Sequence, residues 1–367
     1  MKDQEITRRR FVRDGSLAAG ALAAGLGNTR TIRAGEADAE EARKIPSFNE
    51  QMEYRRCGRT NFMVSAVALG GHWKRIDKVL GADRKGGWMD NDKESGFDQN
   101  RRDVVTRCLE RGINWVDACC IQEVKAYSKA LKGRRDKMYM ACSWEQIEVR
   151  RPQYRSLAKL KETLDWGLKD GGIDYCDVWR ITCHEQSSRH SDAEMEVTMK
   201  ALEWARKAGK ARYVGISSHD RPHIKRMIET YPEVMDVVCT PYTAKTKLVT
   251  DKSGLWATMK KHDVGWFGIK PFASNSLFKG DSAPDSPTFK EDNRIARLAI
   301  RYILCNPVIT APIPGLITPQ QVDNVSLAVA ERRELDVKEK AELEKAMDEA
   351  WANLPHHYQW LKDWEYV

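Results

Sequence analysis

The strongest constraint on this chain is a repeat of apolar patterning. After residue 50, short β-branched runs ending in small or polar residues alternate with stretches of helical periodicity. The strand candidates are 64–70, 113–119, 137–142, 174–182, 211–217, 235–240, 264–270 and 308–313. Amphipathic segments such as 154–169 and 192–208 lie between them, and the second is stopped by Gly209. Eight strand-then-helix units in roughly 300 residues close a parallel sheet on itself more readily than they wind an open one. No GxGxxG follows the first strand, so the phosphate-binding turn of a doubly wound dinucleotide fold is missing. The pattern predicts an α/β chain whose residues 52–367 form a (β/α)8 barrel. Its chemistry should then collect where the strands end.

The start of the chain reads differently. Residues 7–13 are Thr-Arg-Arg-Arg-Phe-Val-Arg, and 16–27 are a short, weakly apolar run of Ser, Leu, Ala and Gly. A basic head before a short apolar stretch is an export signal rather than a membrane anchor. The paired arginines ahead of Phe11 are similar to the twin-arginine motif read by export machinery that carries folded proteins. We therefore expect a signal at 1–39, cleaved after Ala37-Asp38-Ala39, a linker at 40–51, and an exported, periplasmic protein. Nine cysteines without a CxxC, in strand-like surroundings, predict buried small side chains rather than a disulfide framework.

Net charge is +8, with bases and acids interleaved as in 331–349. A mixed surface of this kind predicts no nucleic-acid partner. No apolar run reaches the ~18 residues of a spanning helix, which predicts no membrane span. The charged, Gly-rich insert at 74–97 follows the first barrel strand and should overhang the mouth. The tail within 331–367 ends in the aromatic run 351–367, which is expected to pack on the side of the barrel.

Fragments in fixed order carry a resemblance. They are Tyr54-Arg55-Arg56-Cys57-Gly58-Arg59-Thr60, Gly112-Ile113-Asn114-Trp115-Val116-Asp117, Ala130-Leu131-Lys132-Gly133-Arg134-Arg135-Asp136 and Gly172-Ile173-Asp174-Tyr175-Cys176-Asp177. Gly209 to Ser217, Lys270-Pro271, Ile313-Pro314-Gly315, Gln321, Asp323 and Asn324 continue the series. Together, over about 52–330, the chain resembles the aldo-keto reductases. The resemblance implies NADP or NAD bound across the barrel mouth and reduction of a carbonyl, or oxidation of a sugar-like alcohol, in a small-molecule substrate. It also implies a tyrosine acid tuned by a lysine that an aspartate holds, with a histidine orienting the substrate.

Of those four residues only the aspartate, Asp117, stands in place. Gln122 occupies the tyrosine position, Ser143 the lysine position and Thr182 the histidine position, while Tyr127 falls on the next helix. His184, two residues beyond Thr182, is the expected acid-base partner of Asp117. The missing pair predicts little activity on simple aldehydes by the ordinary route. The resemblance carries cofactor contacts to Ser217, Ser218, Cys239, Tyr242, Lys270, Gly315 and Asn324. Ile317 stands where many members place an arginine for the 2′-phosphate, leaving NADP or NAD open. Asp117 also reads as a cap for the following helix, and Trp73, Trp144 and Trp179 as ligand platforms or packing residues. Strand alternation would gather Cys119, His184, His219 and Cys239 at the strand ends, a second reading as a thiol or metal site. A third reading is a barrel without catalysis that binds a ligand or assembles.

Overall fold

The computed structural model describes residues 31–33, 38–81, 92–245, 253–283, 285–331 and 333–362. Two strands, β2 (Tyr54–Arg56) and β3 (Met63–Ser65), form an antiparallel hairpin beneath the barrel. The eight parallel strands then run in chain order. They are β4 (Leu69–Gly70), β5 (Trp115–Ala118), β6 (Tyr139–Cys142), β7 (Cys176–Thr182), β8 (Ala211–Ser217), β9 (Val237–Pro241), β10 (Gly265–Ile269) and β11 (Ala311–Ile313). Closure comes from a parallel bridge between Gly70 and Gly315, with Ala68 N donating to Pro312 O at 3.0 Å and Gly70 N to Pro314 O at 2.8 Å.

Seven of the expected strands appear within a few residues of their predicted limits. The eighth, 64–70, divides into β3 of the hairpin and β4 of the barrel. Its apolar run serves two sheets, because the Ser65 hydroxyl donates to Val67 O at 2.7 Å and turns the chain between them. At the N-terminal side, β1 (Thr31–Ile32) pairs antiparallel with β2 and buries Ile32. Two residues upstream of the expected cleavage point thus cover a hairpin edge that would otherwise present unpaired backbone groups. The helix Ala39–Lys44 occupies part of the expected linker and is capped by Asp38. Residues 1–30, which hold the arginine pair, lie outside the described residues, as do 82–91 of the insert and 363–367 of the tail.

Side-chain alternation layers the barrel interior. Phe62 plugs the bottom against Tyr139 and Tyr213, and Trp115 stacks on Phe267 above it. Val178, Ala141, Cys239 and Ala311 fill the next level. Two residues further along the same strands the lining turns polar, with Asp117, Ser143, Arg180, Thr182 and Ser217. All nine cysteines are unpaired, and eight of them are buried. No described helix is long and apolar enough to cross a membrane.

Candidate active site

Above the polar layer lies a cavity of about 450 Å³, within the usual range for small-molecule sites. Strand ends, the loop after β10, the turn 313–317 and the start of the helix Pro319–Ala330 line it. Of the ten described non-glycine residues with positive φ, five border it: His72, Lys270, Ser274, Asn275 and Ser282. Left-handed backbone costs about 1–3 kcal/mol per residue and is kept where the surroundings require it, so its concentration here marks a working surface.

Asp117 does not cap the following helix. Arg180, the fifth residue of β7, reaches across and donates from Nε to Oδ2 at 2.8 Å, with a second bond from Nη2 to Oδ1. Both residues are buried, and the adjacent carboxylate outweighs desolvation to keep Arg180 charged. Arg180 also donates to the Thr182 hydroxyl at 3.1 Å, which lies 2.7 Å from the Ser143 hydroxyl. Ser143 in turn donates to Glu148 at 2.7 Å. The position expected to carry the lysine is therefore a hydroxyl relay, and the cation beside Asp117 comes from β7, two strands away in the sheet.

His184 does not join Asp117. Its Nε2 meets Arg155 at 3.0 Å, its ring stacks on His190 at 4.8 Å, and it is not among the residues lining the cavity. Burial and Arg155 lower its pKa. Tyr127 is fully buried and donates to Gly70 O at 2.7 Å, with burial pushing its pKa up. Gln122 is likewise not among the residues lining the cavity. The residue that enters is its neighbour Glu123, at the first turn of the helix Ile121–Ala130. Glu123 accepts from Cys119 N at 2.7 Å and His72 N at 2.5 Å, and it meets His72 Nδ1 at 3.0 Å. Gly71 permits this approach, since any Cβ there would overlap the Glu123 carboxyl. An acidic residue beside the vacant tyrosine position was visible in the sequence, but its partner His72 lies 51 residues away.

The expected cofactor residues divide. Ser217, Lys270, Gly315 and Asn324 line the cavity. Ser218 turns into the 184–187 loop, donating to Glu185 O at 3.0 Å. Cys239 sits one layer lower in the apolar interior, where burial raises its pKa. Tyr242, one residue past the end of β9, is buried edge-on to Trp266 at 5.1 Å and is not among the residues lining the cavity. The predicted ring of Cys119, His184, His219 and Cys239 is not assembled. Trp73, Trp144 and Trp179 are buried packing residues.

The tail behaves unlike the expectation. Tyr358 and Trp360 line the cavity, with Trp360 stacked on His219 at 4.5 Å and facing Lys270 at 5.4 Å. Leu354 and Leu361 pack on Ala273 and hold this segment across the mouth. Tyr358 similarly faces Lys74 at 4.6 Å.

The fold and site define a class: a parallel barrel enzyme whose C-terminal mouth carries a buried aspartate–cation pair and a long polar cavity. The aldo/keto reductase family profile matches residues 84–295. The chain is 30% identical over 275 residues to L-glyceraldehyde 3-phosphate reductase of Escherichia coli, covering 70% of this chain and 73% of that protein. It is 23% identical to L-galactose dehydrogenase of Arabidopsis thaliana, covering 79% and 92%. The fold is similar to that of an aldo-keto reductase from Klebsiella pneumoniae in complex with NADPH, with TM-score 0.59, 16% identity and coverage of 79% and 93%. It is also similar to the holo form of an aldo-keto reductase from Bacillus halodurans, with TM-score 0.57, 20% identity and coverage of 80% and 95%. This chain belongs to the aldo/keto reductase family of oxidoreductases.

Proposed function

We propose that the protein is an NAD(P)(H)-dependent oxidoreductase interconverting a polar, sugar-like carbonyl compound and its alcohol through a non-standard acid-base set. The observation that carries this is the continuous cavity joining Asp117 and Arg180 at one end to Gly315, Gln321 and Asn324 at the other. Its lining suits a dinucleotide. His219 Nδ1 is buried without a hydrogen-bond partner, next to Ser217 on the same strand end, so the two offer polar contacts to a carboxamide. Burial, Lys270 and Arg150 hold His219 neutral. Lys270 supplies a cation for phosphate, and Trp360 supplies the aromatic face that Tyr242 does not.

When bound, the nicotinamide supplies or accepts a hydride. This chain's own residues supply the rest. Arg180 points its guanidinium at the cavity floor, where it stabilises negative charge developing on a substrate oxygen. Asp117 fixes its orientation, and Thr182 holds a third edge. Glu145, Glu185 and Arg150 on the wall suit a hydroxylated substrate. The names of the two curated relatives, a phosphorylated-triose reductase and a sugar dehydrogenase, support the same class.

Thermal-shift titration of the full chain with NADP(H) and NAD(H) tests the reading. Stabilisation of about 2.7 kcal/mol is expected at one hundred times Kd, and Lys270→Ala should weaken binding about 10- to 100-fold. No shift with any of the four dinucleotides would favour a ligand-binding barrel instead. The same proposal places the enzyme outside the cytoplasm by the twin-arginine route. Arg8→Lys with Arg9→Lys should retain the chain in the cytoplasm, as followed by fractionation, and unchanged export would remove that assignment.

A further inference from the structure

We infer that the His72–Glu123 pair on the cavity wall is the proton-donating site of this enzyme, acting on the oxygen of a polar carbonyl substrate in place of the absent tyrosine. The inference rests on the oxidoreductase reading of the cavity.

The geometry comes first. His72 lies two residues after the closing bridge of the barrel at Gly70, and its backbone is held in the left-handed region at φ 53°. Its side chain lines the cavity and keeps 43% of its surface exposed. Glu123 behind it is fully buried, and two backbone N–H groups fix its carboxylate so that it cannot turn away. A buried carboxylate needs a charged partner, and the His72 ring is 3.0 Å from it. An anchored carboxylate in contact with an imidazole that borders the open cavity supplies the parts a general acid requires.

The protonation states agree with this assignment. Burial alone would lower the pKa of His72, but Cys119 and Glu123, both against its Nδ1, raise it. Burial would raise that of Glu123, but His72 and the two backbone donors bring it down. The thiol of Cys119, 3.6 Å from His72 Nδ1, is held neutral by its contact with Cys120, by burial and by Glu123. It is thereby unsuited to act as a nucleophile. The other charged groups lining the cavity are Asp117, paired with Arg180, Glu145 and Glu185, both paired with Arg150, and Asp292, together with Lys74 and Lys270. Burial and Lys270 lower Lys74 to about 8, and burial lowers Lys270. His72, Cys119 and Glu123 also lie close enough to ligate a metal ion. Both Glu123 oxygens already accept hydrogen bonds, from His72 N and Nδ1 and from Cys119 N, which favours the ion pair over a divalent cation.

In the reduction, hydride from the dinucleotide forms the new C–H bond and the carbonyl π pair moves to oxygen. His72 gives its proton to that oxygen, the carbonyl is reduced and the dinucleotide is oxidised. Neutral His72 then recovers a proton from water, and Glu123 remains a carboxylate throughout.

The test uses the full chain with NADPH and glyceraldehyde as probe. Dinucleotide binding, read by thermal shift, is measured first on every variant, because its loss in the wild type would remove the oxidoreductase reading rather than the His72 assignment. With binding intact, His72→Gln should lower kcat about 10²- to 10⁴-fold. It should also abolish the fall of rate at alkaline pH that deprotonation of His72 produces. Glu123→Gln should move that fall toward neutral pH while His72 stays in place. Nitrogen-15 spectra of histidine-labelled protein, assigned with His72→Gln, should show a doubly protonated His72 at pH 8, a readout that needs neither turnover nor the buried Glu123 variant. A neutral His72 at pH 8 would overturn the inference. So would a His72→Gln enzyme within threefold of wild type, a limb only near pH 8 belonging to Lys74, no glyceraldehyde turnover by a dinucleotide-loaded wild type, or one zinc per chain retained on His72 and Cys119.

Discussion

Two buried carboxylates sit at opposite ends of this barrel and are used in different ways. At the bottom, Asp177 on β7 accepts from Met140 N at 2.8 Å and pairs with Arg135 at 2.7 Å and Arg212 at 2.9 Å. The surroundings satisfy it, and desolvation is outweighed so that its pKa falls below the ordinary aspartate value. At the top, Asp117 on β5 meets the single arginine Arg180 and borders the cavity. The chemistry is the same at both ends, but only the upper pair leaves a charged edge that a ligand can reach. In a parallel barrel the C-terminal mouth is built from loops that can vary, whereas the N-terminal end is closed by the hairpin. The lower cluster therefore holds strands, and the upper pair borders the cavity.

That contrast can be broken experimentally. The largest expected effect is at Asp177→Asn, where two arginines lose their counter-charge and unfolding in urea should become easier by about 3–5 kcal/mol. A group whose folded pKa is lowered contributes stability above its unfolded pKa, about 3.9, and loses it as pH falls through the folded value. The gap between wild type and Asp177→Asn should therefore be widest near neutral pH and close as the buffer becomes acidic below about pH 4. Arg180→Met should reverse the balance. We expect kcat/KM to fall about 100-fold or more, with a smaller stability loss of about 1–3 kcal/mol, since water in the cavity can solvate Asp117. A more stable, fully active Arg180→Met enzyme would make the upper pair structural as well. The smallest effect is at Tyr127→Phe. It loses one buried hydrogen bond to Gly70, about 0.5–1.5 kcal/mol by thermal melt, and should leave kcat unchanged. A large fall in kcat there would return the acid to the tyrosine on the helix.

The residues lost from the ordinary set were legible as absences, and their replacements were not. Gln122, Ser143 and Thr182 could be read from spacing along single strands. Arg180 replaces the lysine from an adjacent strand, and Glu123 enters from one position beyond the vacant tyrosine. Tyr242 and Cys239 aligned with cofactor positions, yet Cys239 packs inside the barrel and Tyr242 packs against Trp256 and Trp266. The aromatic tail looked like packing, and Leu354 and Leu361 do pack. Its tryptophan nevertheless supplies the flat face over the cavity.

The sequence by itself determined the order of strands and helices, the barrel they close into, the family and the survival of Asp117. Each of these depends on local periodicity or on fragments kept in order. Only the tertiary structure decided which cation faces Asp117, that His72 meets Glu123 across 51 residues, and that Trp360 lies on His219. Those contacts are set by strand stagger and loop path, which bring distant side chains within hydrogen-bonding range and leave no periodic trace in the chain.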